Sequence, residues 1–339
     1  MTSRGTCDMG SWQGGHQTEQ ALEPELEIVD AHHHLWPVPI SHWGTYDLAD
    51  LRRDTGTGHN IVATVFIDCG AEYRTDGPEA MAPVGETEFV ARRADESDRT
   101  PGPPIAAIVS HADLTLGPAV AEVLEAHVDA AGGRFRGIRH SGARADDIAV
   151  GLSRTAPPAG LYGQDGFRAG ARVLASMGLS FEAWQYQHQL GDVAGLAAAV
   201  PELTIVVNHL GGPLGVGTWA PRRAQVLSTL RQGLATLAGF PNVMLKLGGI
   251  GMTRLGAVTN TDGTPPGSDQ LVAEWGDLLR FAIDTFGPDR CLFESNYPVD
   301  GETTPYVVLW NAFKQVSAGY TGAERAALFA GTSRRVYRL

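Results

Sequence analysis

The sequence predicts a single distorted (β/α)8 barrel of the TIM type, and three observations predict it. Apolar, β-branched runs alternate with amphipathic segments about eight times along the chain. Connections from a helix to the next strand are short, as at Gly178 and 201–203, whereas those from strand to helix are long at 37–60, 140–165 and 248–268. Polar side chains recur at the same end of nearly every predicted strand. A doubly wound open sheet is the competing architecture. It would carry a Gly-rich phosphate turn after its first strand, and none follows here.

The elements follow in order. Residues 28–34 form a short buried strand led by Ile28 and Val29. Side chains alternate across a strand, so Asp30, His32 and His34 are expected on one face. The segment 37–60 is polar and broken by Pro and Gly. The run IVATVFIDC at 61–69 is continuous and apolar, as a strand buried on both faces requires. A helix over 87–97 and a strand over 105–111 come next, then a helix over 118–130 and a strand over 135–139. After the excursion at 140–165 the spacing predicts a helix over 167–177, closed by Gly178, and a strand over 179–186. A helix over 192–200 stops at Pro201, and TIVVNH at 204–209 is the sixth strand. A helix over 222–238, a strand over 243–247, a helix over 271–286 and a strand over 291–295 complete the alternation. Helices over 305–318 and 321–329 close the chain.

Bulk properties bound the function. The chain has 339 residues, which suits one large barrel. The net charge of −12 argues against a nucleic-acid-binding face. No apolar run reaches eighteen residues, so no membrane span is expected. The three cysteines, Cys7, Cys69 and Cys291, are far apart and odd in number, which predicts reduced thiols and a cytoplasmic protein. Residues 1–27 lack the apolar core of a signal peptide and are expected to form a loosely attached arm, leaving 28–339 as the barrel.

In a barrel, inward side chains at the C-terminal strand ends converge. His32 and His34 end strand one, and two imidazoles at i and i+2 suit one divalent metal. Arg139 ends strand four, and its fork suits an anionic group on a substrate. Trp184 and Tyr186 follow strand five and supply apolar walls, as does Tyr297. His209 ends strand six, Lys246 lies on strand seven, and Glu294 and Asn296 end strand eight. Each has a structural alternative. A lone strand-end histidine is more often a hydrogen-bonded strut, Lys246 can snorkel to the rim, and Glu294 can be a partner of Lys246 or Arg139. As a catalytic group, a buried Glu294 is expected to have a raised pKa.

Six stretches then carry a resemblance. They are Val29-Asp-Ala-His-His-His-Leu-Trp, Pro83-Val-Gly-Glu-Thr-Glu, Phe135-Arg-Gly-Ile-Arg-His, Val207-Asn-His-Leu-Gly-Gly-Pro, Asn242-Val-Met-Leu-Lys-Leu-Gly-Gly and Arg290-Cys-Leu-Phe-Glu-Ser-Asn-Tyr-Pro-Val-Asp. In this order they resemble the amidohydrolase superfamily, in its branch of lactonases and decarboxylase-like hydrolases, which includes L-fuconolactonase-type enzymes. The resemblance implies a divalent metal, zinc first, on His32, His34 and a strand-five histidine, for which His188 is the nearest match. It implies a proton-handling or carbonyl-polarising role for His209, and homodimers are common in the family. The family's usual strand-eight Asp is Asn296 here, and an amide cannot take a proton from water. The expected reaction is therefore metal-assisted opening of a small lactone or cyclic ester, with Glu294 or His209 managing protons and Asn296 orienting substrate. The rivals are a metal-free or non-hydrolytic decarboxylase, dehydratase or isomerase, and a non-catalytic ligand-binding barrel.

Overall fold

Eight parallel strands in the order β1 to β8 form one sheet, which the chain closes on itself. The computed structural model describes residues 19–39, 44–151 and 156–339, and Cys7 lies outside them. The strands are β1 (Glu27–His33), β2 (Asn60–Ile67), β3 (Ile105–Ser110), β4 (Phe135–Arg139), β5 (Ser180–Ala183), β6 (Ile205–Val207), β7 (Val243–Leu247) and β8 (Cys291–Phe293). Between them run α1 (Leu48–Thr55), α2 (Val84–Arg99), α3 (Val120–Ala130), α4 (Asp165–Ser176), α5 (Leu190–Ala199), α6 (Arg223–Ala238) and α7 (Ser268–Phe286). The helices α8 (Tyr306–Val316), α9 (Gly322–Ala326) and α10 (Thr332–Tyr337) follow β8. This is the (β/α)8 barrel that the alternation predicts.

Two shells of apolar side chains hold it. Val29, Ala31, Val65, Val109, Val206 and Leu292 fill the barrel interior, where Tyr337 from α10 joins them. The other strand faces pack on the helices; Phe293 of β8, for example, stacks on Phe313 of α8 at 4.6 Å. Each such fully buried side chain stabilises by about 1.5–3 kcal/mol.

The structure departs from the expectation at α1 and in strands one, five and six. The segment 37–60 holds α1, only two turns long, started by an Asp47–Asp50 capping box and held by buried Leu48 and Leu51. Its shortness hides its period. Strand five ends at Ala183 rather than 186, and strand six at Val207 rather than 209. Strand one does not keep its alternation. Its pairing with β2 shifts register between Asp30 and His33, and a bulge of this kind turns successive side chains to the same side. His32 therefore points into the barrel. Asp30 points out, where its carboxylate accepts from Ser295 N (2.8 Å), Ser295 Oγ (2.6 Å) and Tyr306 Oη (2.9 Å).

The seam between first and last strands is made past β8. Asn296 N donates to His32 O (2.9 Å) and His34 N to Tyr297 O (2.8 Å). Of the expected arm, the part before residue 19 is outside the described residues. The part after it is tied down: Lys314 Nζ donates to Leu22 O and Glu23 O, and Asn311 Nδ2 donates to Glu19 Oε2.

Candidate functional site

At the C-terminal end of the barrel the structure brings together His32, His34, Arg139, His209, Lys246 and Glu294. The backbone reaches this arrangement through strain. His209 and Leu210 are both left-handed (φ +51° and +53°), as is Asn296 (φ +53°). Such conformations are uncommon for residues with a Cβ and cost on the order of 1–3 kcal/mol each. At His209 the turn aims two donors at one oxygen: its backbone N (3.1 Å) and its Nδ1 (2.8 Å) both meet Glu294 Oε1. Two glycines leave the room. A Cβ on Gly248 would lie 2.2 Å from Glu294 Cγ, and one on Gly249 would lie 2.6 Å from His209 Cβ.

Glu294 departs from its expected behaviour. Burial pushes its pKa up, but the adjoining His209, Lys246 and the backbone donor outweigh it, so the carboxyl is held below its ordinary range as an anion. His209 is pushed down by burial against the pull of Glu294. The pair is therefore carboxylate and neutral imidazole. With Nδ1–H given to Glu294, the His209 lone pair is on Nε2.

Below this pair lies a second group, built round Glu182, whose two oxygens are both satisfied. Lys246 Nζ pairs with Glu182 Oε2 at 2.9 Å, and both side chains are fully buried. Tyr337 Oη donates to Glu182 Oε1 (2.5 Å) and Asn208 Nδ2 donates to Glu182 Oε2. Strand phase places Glu182 on the inward face of strand five, but sequence reasoning did not pair it with Lys246 and missed Tyr337. The inward phase of Glu182 on β5 was a usable signal, but nothing in the sequence marks Tyr337.

The metal question turns on His32 and His34. Burial holds both imidazoles well below their ordinary pKa, helped by Lys246 at His32 and Arg139 at His34. Neutral imidazole is the ligating form. His34 Nδ1 donates to Ile67 O (2.7 Å), which leaves Nε2 as its lone-pair atom. The two Nε2 atoms face each other at 3.2 Å, close to the about 3.3 Å between two nitrogens on one tetrahedral zinc with bonds of ~2.0–2.1 Å. Among the described residues, His32, His209 and Glu294 also hold ligand atoms within 4.8 Å of one another. Glu294 Oε2 lies 2.8 Å from His32 Nδ1 yet makes no hydrogen bond. These donors fit a divalent cation, although Arg139 Nη1 (3.4 Å) and Lys246 Nζ (3.3 Å) also approach His32.

The remaining expected residues divide. Arg139 faces His32 and is anchored by the Asp68 carbonyl and carboxylate. Trp184 packs edge-to-face on His209 at 4.7 Å and walls the site. Tyr186 is buried behind Trp184 at 5.4 Å. His188 does not join His32 and His34. Because β5 ends at Ala183, the chain has turned away by residue 188, where the ring stacks on Trp219 (5.2 Å) and Nε2 donates to Arg144 O (3.1 Å). Tyr297 is no pocket wall: its hydroxyl donates to Thr304 O (2.5 Å) and its ring packs on Tyr306. Asn296 spends its amide on Asp300 Oδ1 (2.7 Å), a buried carboxyl that sequence reasoning overlooked.

Comparison with known proteins places this geometry. The chain is 27% identical to an L-fucono-1,5-lactonase of Burkholderia multivorans, over 92% of this chain and 96% of the relative. It is 30% identical to the uncharacterized protein y4mH of Sinorhizobium fredii, over 93% and 99%. Among solved structures, an amidohydrolase from Burkholderia multivorans with bound zinc superposes with a TM-score of 0.70 at 24% identity, covering 92% of this chain and 99% of that one. The amidohydrolase family model matches residues 29–339, so nearly the whole described barrel, from first strand to last helix, is that of a member of the amidohydrolase family.

Proposed function

We propose that the protein is a hydrolase that opens a small lactone. The observation that carries this is the buried His209–Glu294 pair beneath Arg139 at the barrel mouth. Glu294 fixes the imidazole tautomer and stabilises the cation that forms on it. His209 Nε2 takes a proton from water as the water attacks the lactone carbonyl. The Arg139 guanidinium meets the negative charge that develops on the carbonyl oxygen. The ring C–O bond then breaks, and the proton on Nε2 passes to the leaving alkoxide, giving a hydroxy acid. Similarity to a curated L-fucono-1,5-lactonase supports a sugar-acid lactone as substrate, and Trp184 offers it an apolar wall.

A divalent metal, zinc first because a similar structure holds it, would be held by His32 and His34 with His209 or Glu294 at hand. When bound it supplies Lewis-acid polarisation of the carbonyl.

The test is a panel of aldono-1,4- and 1,5-lactones followed by pH-indicator assay, with Glu294→Gln and His209→Ala alongside. Turnover of at least one lactone, lost in both variants while their circular dichroism is unchanged, supports the reading. No turnover of any lactone, or a Glu294→Gln variant as active as the parent, refutes it.

A further inference from the structure

The turn that leaves β7 carries three glycines in four residues, Gly248, Gly249 and Gly251, and each lies against a different residue. A Cβ on Gly248 would run into the Glu294 side chain, and one on Gly249 would lie 2.6 Å from His209 Cβ. One on Gly251 would lie 2.6 Å from the Asp300 carbonyl oxygen and 2.8 Å from Asp300 Cβ. The backbone of this turn is therefore the surface that packs on the His209–Glu294 pair, and only glycine permits the approach. Apart from buried Ile250, such a turn has no side chain to fix it.

The hold comes from the segment after β8. Asp300 Oδ2 accepts from Gly251 N (2.9 Å), and Thr303 Oγ1 donates to Gly251 O (2.8 Å), so both backbone polar groups of Gly251 are gripped. Asp300 Oδ1 accepts from Asn296 Nδ2 (2.7 Å). Burial pushes the Asp300 pKa well up against the pull of these two donors. The side chain is not needed to close its own turn, which backbone bonds from Thr303 N (3.2 Å) and Thr304 N (3.0 Å) to Asp300 O already close. Its two oxygens instead join the glycine turn to Asn296, whose backbone N holds His32 O across the seam.

We propose that Asp300 is a positioning residue of the reaction: it clamps the turn 248–251 onto His209 and Glu294 and so keeps the imidazole in register with its carboxylate. The proposal rests on the lactonase reading only for its activity readout.

Asp300→Asn keeps the shape but turns one acceptor into a donor, which must face Gly251 N or Asn296 Nδ2. The double variant Asn296→Asp/Asp300→Asn restores a full set of bonds, because residue 300 then donates to the carboxylate at 296 and still accepts from Gly251 N. The clamp is read by hydrogen exchange of the segment 248–256, followed by mass spectrometry, and its effect on the pair by the nitrogen NMR signals of the His209 ring. Asp300→Asn is expected to speed that exchange on the order of tenfold, the loss of one buried hydrogen bond, while β3 exchanges as in the parent. The double variant should return the segment to the parent rate. The His209 signals should move in Asp300→Asn from a ring protonated at Nδ1 toward mixed tautomers. On any lactone turned over by the parent, kcat should fall by about tenfold to a hundredfold with KM within about twofold. Thr303→Val removes the other hold on Gly251 and should shift exchange and ring signals the same way; if Asp300→Asn does not fold, this variant decides. Exchange as slow as in the parent overturns the proposal. So does faster exchange with unchanged His209 signals, which would leave Asp300 a strut of the turn alone. If no lactone is turned over, the lactonase reading falls, and exchange and ring signals still decide the clamp.

Discussion

Two buried carboxylates sit inside the same barrel and do opposite things. Glu182, lower down, has both oxygens satisfied by Lys246, Asn208 and Tyr337. Glu294, at the mouth, gives one oxygen to His209 and leaves the other without a hydrogen bond. Both are fully buried. Full satisfaction makes a buried charge a structural fixture, whereas an open valence in a dry site is a chemical resource. Burial alone cannot tell the two apart; the list of partners can.

The widest gap should appear in activity. Glu294→Gln is expected to lower lactone turnover by about 10²–10⁴, the usual worth of a positioned proton-transfer system, with a nearly unchanged urea midpoint. Glu182→Gln should do the reverse. It strands Lys246 in the interior at a cost of about 3–5 kcal/mol, read from urea unfolding, and the fraction that remains folded should keep most of its activity. If Glu182→Gln silences the folded enzyme, the division between floor and mouth is wrong.

A pH measurement sharpens the same contrast by removing a background. His127, on α3, is buried between Thr87 Oγ1 (2.8 Å) and His111 O (3.0 Å), and burial pushes its pKa down to about 4. The unfolded chain binds this proton near pH 6.5, the native chain only near 4. Stability should therefore fall as pH drops from about 6.5 to 4, by up to about 3 kcal/mol from this group. His127→Gln should reduce the slope of that limb by up to one proton, leaving the share of the other buried histidines His32, His33, His34, His59 and His209. An unchanged slope refutes the assignment. Smaller again is Tyr337→Phe, which removes one hydrogen bond to a charged acceptor and should cost about 1.5–3 kcal/mol with KM unchanged. Metal content is the last discriminator. Elemental analysis should find about one zinc per chain, lost in His32→Ala/His34→Ala, if the facing imidazoles are used as zinc sites of this kind are.

Much of this was legible in the sequence because it followed from period and strand phase. The shared faces of Lys246 and Glu294 came from strand phase, and the convergence of the strand-end residues, Arg139 among them, from barrel geometry. What failed did so where alternation stops. Asp30 was assigned the face of His32 because a bulge leaves no mark in the residues. His188 was offered as a ligand because strand five was read three residues too long, to 186 instead of Ala183, which put His188 just past the strand end. The sign of the Glu294 pKa was missed because burial could be foreseen and its donors could not: the left-handed turn that aims His209 N at it is a backbone event. Tyr337 reaches its partner only through tertiary closure, and Asp300 meets Asn296 across an irregular four-residue turn.

The seam between β1 and the segment after β8 has one more consequence. Its hydrogen bonds run through His32, His34 and Asn296, the same stretches that carry the mouth residues. Catalysis in this barrel is thus a readout of topology. A fragment lacking either end, or a chain whose first and last strands are out of register, has no assembled mouth even if most of its helices form. In a library of circular permutants or split halves, turnover would report ring closure directly, without a spectroscopic probe.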